Sequence, residues 1–461
     1  MKSLRILGKG AAVLFLLAPA CVVRLNDRNA PLENGGVSGP NADCSAVQVP
    51  PEAALTGPAM TKFVGRYDLT DPKKPRFDWS GNSMNARFEG TEVTWGVEAQ
   101  KEQVFEVIID GRAQQVILPE FSATAAPVFS RTHRLAAGVH EITVVRSSEA
   151  VSGISSFVPF TFVGTQLPTI EYARRIEFIG DSILCGYGNE GPNATCPYDV
   201  TIRTETDANG EVTEVKIPET ENVYLAYGAV AARQLSAEAT ILCFSGKGVV
   251  LNYREQGVGE GAILNPNDKP DIDALTTIPD YYRRTVATDH PTFVEPPTED
   301  KNDVDDKAGV AWPFGEAQQP QVVVINIGTN DFARDANQDS IADGIDLAKF
   351  RAGYRTFVDF VRSKRLKADI FLAVPPMVTD LFPLDNARTN FRAALRGIVD
   401  EMNNAGDTKV YFIELIEMGV RYGLGCDYHP NLEVHRIMAE QVAGAIKSKT
   451  CWSTASGSSG P

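Results

Sequence analysis

After Pro168, short and wholly apolar runs alternate with amphipathic helical patterns. The runs are "RIEFIGD", "ATILCFSG", "QVVVINIGTND", "ADIFLAVPP" and "KVYFIEL". Between them lie "ENVYLAYGAVAARQL", "DLAKFRAGYRTFVDFVRSKR" and "DNARTNFRAALRGIVDEMNN", and "NLEVHRIMAEQVAGAIKSK" follows the last. A strand apolar on both faces must be covered on both faces, so this alternation predicts an α/β fold with a three-layer parallel sheet. In such sheets ligands bind beyond the carboxyl ends of the strands. Ser182, Gly246 and Asn330 each fall just after a strand and are predicted to gather on that edge.

The region before Pro168 has another period. "ARFEGTEVTWGVE", "QVFEVIIDGRAQQVIL" and "GVHEITVVR" are rich in β-branched and aromatic residues, with turn signals at Glu89-Gly90, Asp110-Gly111 and Ala137-Gly138. Asp110-Gly111 between apolar runs is a strong hairpin signal. In "HEITVVR", Ile142 and Val144 share one face and Thr143 lies on the other. A β-sandwich over 59–166 is expected ahead of an α/β domain over 170–449. Two domains suit 461 residues. Within the second domain, 249–320 is long, irregular and acidic and reads as a mobile surface insertion without chemistry. The tail 450–461 reads as disordered, and 22–58, rich in Pro, Gly and Asn, as a tether.

Residues 1–21 read as a processing signal. Lys2, Arg5 and Lys9 precede "AAVLFLLA", which is short for a membrane span. "APAC" ends at Cys21 and looks like a bacterial lipoprotein cleavage site, with Ala18 where Leu is commoner. The expectation is an exported protein anchored through a lipidated Cys21. The alternative is secretion after cleavage near Ala20. Without Cys21, six of the seven cysteines remain, an even number that permits disulfides outside the cytoplasm. Cys185 and Cys196 are an attractive local pair, although sequence does not fix connectivity. No cysteine or histidine spacing suits zinc, so no metal is expected. The net charge of −15 argues against a nucleic-acid partner or a strongly anionic substrate.

Gly180-Asp181-Ser182 is an ordinary turn or the site of a nucleophile. A nucleophilic serine needs a base, an orienting group and oxyanion donors. Five histidines are available as the base. His133 and His140 lie in the β-region, His290 in the insertion and His435 within the last helix. His429, in "GCDYHPN", follows the last strand at the carboxyl edge. Asp427 stands two residues earlier, and an extended backbone would project both side chains to one side. Alternatively, Asp427 hydrogen-bonds its own loop and the Tyr428 carbonyl or another acceptor orients the ring. The expected oxyanion donors are the N–H groups of Ser182 and Gly246 and the side-chain amide of Asn330. Asn330 also suits an Asx-turn, and Asp331 reads as structural.

These blocks, in this order, resemble the SGNH (GDSL-type) hydrolase superfamily. The resemblance is closer to carbohydrate esterase family 2, which places a jelly-roll-like domain before its SGNH domain. "GRYDLTDPKKPRFDWSGNSMNARFEGTEV" and "RSSEAVSGISSF" look like that N-terminal domain. The resemblance implies Ser182 as nucleophile, His429 as base, and Ser182, Gly246 and Asn330 as the oxyanion hole. The superfamily usually places its aspartate three residues before the histidine. That position here is Cys426, and some family 2 members are described as Ser–His dyads oriented by a backbone carbonyl. The implied activity is removal of O-acetyl groups from polysaccharide such as xylan or mannan, by a monomer without cofactor. Alternatives are an SGNH esterase or lipase for other acyl esters or a bacterial envelope glycan, and an inactive carbohydrate-binding surface protein. Tyr187, Trp312, Phe332 and Tyr428 are candidate sugar-stacking aromatics or core.

Overall fold

The computed structural model describes residues 37–38, 59–99, 102–118, 128–206, 210, 212–253, 277–289, 310–315, 319–335, 341–419 and 421–452. Cys21 with the signal 1–21, Cys44 and His290 lie outside the described residues, as do most of the tether and tail.

Strand β1 (Val37–Ser38) comes from the stretch read as a tether. The N-terminal domain is built from β2 (Thr61–Val64), β3 (Arg76–Phe77), β4 (Ser83–Ala99), β5 (Val104–Ile109), β6 (Arg112–Ile117), β7 (Val128–Arg146) and β8 (Ser155–Leu167). These seven strands form one hydrogen-bonded sheet in the order β3-β8-β4-β7-β5-β6, with β2 beside β4. Its core includes Phe77, Phe88, Trp95, Phe105 and Phe157. The expected hairpin at Asp110-Gly111 is present: Ile109 pairs with Arg112, and both turn residues have positive φ. Ile142 and Val144 are buried as their spacing requires. Two expected turns are corrected. Glu89-Gly90 and Ala137-Gly138 lie within β4 and β7, where Gly90 pairs with Gly138. The ladder shifts register between Gly90 and Glu92, so small residues mark a bulge in a long strand instead of a reversal.

The second domain begins with β9 (Arg174–Gly180) and helix α1 (Ser182–Cys185). An antiparallel ribbon follows, β10 (Val200–Thr206) with β11 (Val212–Ile217). Then come α2 (Tyr227–Gln234), β12 (Ala237–Cys243), α3 (Ile278–Tyr281), β13 (Val322–Asn326), α4 (Thr329–Phe332), α5 (Leu347–Lys364), β14 (Asp369–Val374), α6 (Ala387–Asn404), β15 (Val410–Glu414) and α7 (Leu432–Thr450). The sheet order is β1-β15-β14-β13-β9-β12, parallel except for β1, which adds antiparallel to β15. All five apolar runs are therefore strands of one sheet. Their side chains alternate between two cores. Val323, Ile325, Leu372 and Phe412 pack with α5 and α6. Val322, Val324, Phe371 and Ile413 pack with α1, α2 and α7. Among the described residues no helix is long and apolar enough to cross a membrane.

The insertion departs from expectation. Within it, Ile278, Tyr281 and Tyr282 are buried in the hydrolase core. Burial follows from what the segment joins. Arg66, from the N-terminal domain, donates to the carbonyls of Tyr282 and Arg284. Trp79 Nε1 donates to the Thr285 carbonyl at 3.1 Å, and Asp78 accepts from the backbone of Ala287 and Thr288. The segment is one of the joints between the domains. At its centre is Glu177 of β9, which accepts from Tyr282 Oη at 2.6 Å and from Arg365 at 2.6 Å, with Arg66 at 3.7 Å. Burial alone would raise the Glu177 carboxyl, but the guanidinium groups of Arg365 and Arg66 hold it below its ordinary value. Glu177→Ala would leave two buried guanidinium groups without their anion. The expected cost is about 3–5 kcal/mol, read as a lower urea or thermal midpoint.

Candidate active site

Strand β9 ends at Gly180, in register with Cys243 on one side and Asn326 on the other. A Cβ at Gly180 would lie 2.8 Å from Leu184 Cβ and 2.9 Å from the Asn326 carbonyl, so the tight approach requires glycine. Asp181 caps α1, its carboxylate accepting the Ile183 N–H at 3.1 Å. Burial pushes its pKa up to about 7. Gly-Asp-Ser is thus a capped turn that places Ser182 at the first position of α1.

Ser182 Oγ lies 2.9 Å from His429 Nε2. His429 Nδ1 lies 2.9 Å from the main-chain carbonyl of Asp427. A carbonyl only accepts, so Nδ1 carries the proton. The neutral ring then offers its Nε2 lone pair to the serine hydroxyl. Burial lowers the His429 pKa, opposed by the Asp427 carbonyl and carboxylate.

The expected Asp427 carboxylate on the imidazole is corrected. Residues 426–428 form a 3₁₀ turn in which Asp427 and Tyr428 have φ of 49° and 57°. That left-handed backbone turns the Asp427 carbonyl to the ring, where an extended backbone would have presented the carboxylate. The carboxylate is exposed and accepts from Tyr187 Oη at 3.3 Å.

The other described histidines have other partners. His133 accepts from Trp95 Nε1 at 3.2 Å, and His140 pairs with Asp110 at 2.7 Å. His435 is fully buried, accepts the Tyr227 N–H at 3.1 Å, and is lowered by burial to about 3.

Gly246 follows β12, with φ of 76° and open space where a Cβ would be. Asn330 lies in α4 after β13. Its side-chain amide donates to the Lys247 carbonyl at 2.9 Å, tying the two loops together. Asp331, read as structural, has a defined task. Its carboxylate accepts the N–H groups of Val249, Val250 and Leu251 at 2.8–2.9 Å and so holds the Gly246 loop. Burial lifts its pKa to about 6.

The attractive Cys185–Cys196 pairing does not form. Cys185 is bonded to Cys243 and Cys196 to Cys426. The first joins α1 to the end of β12, and the second fastens the turn before His429. Both are contacts of the sheet edge that sequence proximity does not report. Among the described residues, Glu149, Cys185 and Glu221 are the three side chains close enough to share a metal ion. The Cys185 sulfur is spent in its disulfide, so the trio is not a ligand set.

Tyr187 lies 4.2 Å from the His429 ring between centroids, and Tyr198 stacks on it at 3.6 Å. Sequence inspection named Tyr187 and missed Tyr198, whose neighbour Cys196 was the available signal. Phe332 and Trp312 are buried, Phe332 in the hydrolase core and Trp312 against Arg66.

Such a sheet, with a capped serine turn at its first strand, is the architecture of the SGNH, or GDSL-type, carboxylic ester hydrolases. Residues 176–442 match the GDSL-like lipase/acylhydrolase family, and residues 63–169 match the carbohydrate esterase 2 N-terminal domain. The chain belongs to carbohydrate esterase family 2. It is 32% identical over 393 residues to a cellulase/esterase of Acetivibrio thermocellus, covering 85% of this chain and 39% of that protein. An acetylxylan esterase / glucomannan deacetylase of Cellvibrio japonicus is 23% identical, over 86% of this chain and 93% of that one. A family two carbohydrate esterase from Clostridium thermocellum, solved with cellohexaose, is 30% identical, with a TM-score of 0.65, over 85% of this chain and 100% of that one.

The geometry at His429 has a direct test. Asp427→Asn preserves the backbone turn, since Asn tolerates the left-handed region. The turnover rate of Asp427→Asn is expected within about fivefold of the parent, because the exposed carboxylate acts on the ring only through screened charge. A loss near 10⁴-fold, typical where a carboxylate holds the ring itself, would overturn this.

Proposed function

We propose that the protein is a serine esterase that removes O-acetyl groups from hemicellulose-type polysaccharide, xylan or glucomannan. The single observation that carries this reading is the chain Ser182 Oγ, His429 Nε2, His429 Nδ1 and Asp427 carbonyl, linked by two 2.9 Å contacts. It is a nucleophile and base in the required tautomer, on a family 2 scaffold. The names of the relatives support carbohydrate esters as the substrate class.

Ser182 Oγ attacks the ester carbonyl carbon while its proton passes to His429 Nε2. The oxyanion of the tetrahedral intermediate is met by the N–H groups of Ser182 and Gly246 and the second amide N–H of Asn330. The imidazolium is held by the Asp427 carbonyl, with the Asp427 charge nearby. It returns the proton to the departing sugar oxygen, leaving an acetyl-serine. Water then gives a proton to His429, attacks the acetyl carbonyl, and acetate leaves as Ser182 is reprotonated. This sequence of steps uses no cofactor. Export is part of this reading and is supported by the disulfides beside the site; anchoring through Cys21 is proposed with it on the pattern of residues 1–21 alone.

Acetate release from acetylated xylan, acetylated glucomannan and an acetylated bacterial glycan tests the substrate class, with butyryl and longer esters as controls. Ser182→Ala is expected to lower turnover about 10³-fold or more. Asn330→Ala is expected to lower it about 10²- to 10³-fold. Long-chain esters cleaved faster than acetyl esters would overturn the substrate class.

The pH profile follows from burial at His429. A base must be neutral, and a lowered pKa keeps it neutral to lower pH. The acid limb of kcat/KM is therefore expected below the ordinary histidine value of about 6.5. A limb well above 6.5 would contradict that role.

A further inference from the structure

The loop that carries Gly246 is held from outside its own domain as well as from within it. Glu149 belongs to the N-terminal domain, in the stretch "RSSEAVSGISSF". Its side chain crosses to Ser245, the residue before Gly246. One carboxyl oxygen accepts the Ser245 N–H at 2.6 Å, and the other contacts Ser245 Oγ. Glu149 is 2% exposed, and burial raises its pKa. Glu221, also buried, has a carboxylate oxygen within 4.8 Å of it. A buried carboxyl beside another is a costly way to fasten an ordinary loop.

The backbone shows what the contact controls. The Gly246 N–H belongs to the Ser245–Gly246 peptide. Fixing both the N–H and the hydroxyl of Ser245 leaves only one torsion, Ser245 ψ, to aim that peptide. Gly246 has no side chain to restrict it; its left-handed backbone faces open space, and its carbonyl accepts the Tyr253 N–H at 2.9 Å. Beyond it, Asn330 and Asp331 hold residues 247 and 249–251 from within the hydrolase domain.

We infer that Glu149 is a positioning residue for the oxyanion hole, a β-domain side chain that aims the Gly246 N–H at the reacting carbonyl oxygen. This rests on the reading of Ser182, Gly246 and Asn330 given above. A donor matters most in the transition state, so its misalignment lowers kcat and leaves KM nearly unchanged. A side chain that only stabilised the fold would lower the melting temperature and leave the turnover of folded enzyme intact.

The test compares Glu149→Ala, Glu149→Asp and Glu149→Gln in the full chain. Kinetics on an acetyl ester are measured with the rate at which a phosphonate ester inactivates Ser182, because its phosphoryl oxygen occupies the oxyanion position. Glu149→Ala is expected to lose about 10- to 100-fold in kcat and in phosphonylation rate, with KM within about threefold. Glu149→Gln recovers most of the loss, since its amide accepts from the Ser245 N–H and donates to Oγ. Glu149→Asp withdraws the carboxyl by one methylene and is expected to behave like Glu149→Ala. It carries the test if Glu149→Ala does not fold. Wild-type kcat in folded Glu149→Ala or Glu149→Asp would overturn the inference, even if melting falls. Ser182→Ala is run alongside. If it is inactive while the Glu149 variants are unimpaired, only the positioning role fails. If it stays active, the serine-esterase reading fails and this inference with it.

Discussion

The site depends on one line of register. Gly180 lies level with Cys243 and Asn326 in the parallel sheet, and Ser182, Gly246 and Asn330 lie two to four positions beyond that line. Parallel strands fixed by buried side chains on both faces cannot slip by one residue without moving apolar groups to the wrong layer. Register therefore translates directly into the relative height of Ser182, Gly246 and Asn330. The two cores that cover the sheet set the positions from which three loops begin.

Register alone does not make loops rigid. Cys185–Cys243 ties α1 to the strand that leads to Gly246, and Cys196–Cys426 secures the turn that aims His429. Asp331 gathers three backbone N–H groups of the Gly246 loop. Donors placed before reaction do not reorganise during it, which is the physical basis of electrostatic stabilisation in such sites. The buried carboxyls Asp181 and Asp331 raise the cost of folding, and both hold backbone N–H groups at this edge instead of reacting.

The sheet was legible because apolar runs and 3.6-residue helical patterns are local signals, and all five runs became strands. Ser182 and His429 were legible through the position of each relative to a strand end. The orientation of Asp427 was not, because it depends on left-handed backbone at Asp427 and Tyr428, which neither residue type announces. Disulfide pairing was not legible because Cys196 and Cys426 are 230 residues apart and meet only through the folded edge. The buried part of the insertion was hidden for a similar reason. Tyr282 is satisfied by Glu177, a charge within an apolar run, and by Arg66 from the other domain. Glu89-Gly90 misled because glycine serves a bulge as well as a turn.

A main-chain carbonyl as the orienting group changes what the base must balance. A buried carboxylate would favour the imidazolium strongly and raise the histidine pKa. A carbonyl fixes the same tautomer through a dipole, and the Asp427 charge acts from an exposed position where solvent screens it. Burial then dominates, and His429 lies below its ordinary value. In the proposed mechanism the ring is then neutral when the ester arrives, and the proton it gains is less tightly held when the leaving oxygen needs it. A weaker orienting group suits a leaving alkoxide that must be protonated as it departs. It also makes the geometry of the 426–429 turn carry what charge does elsewhere, which is a physical reason for a disulfide at Cys426.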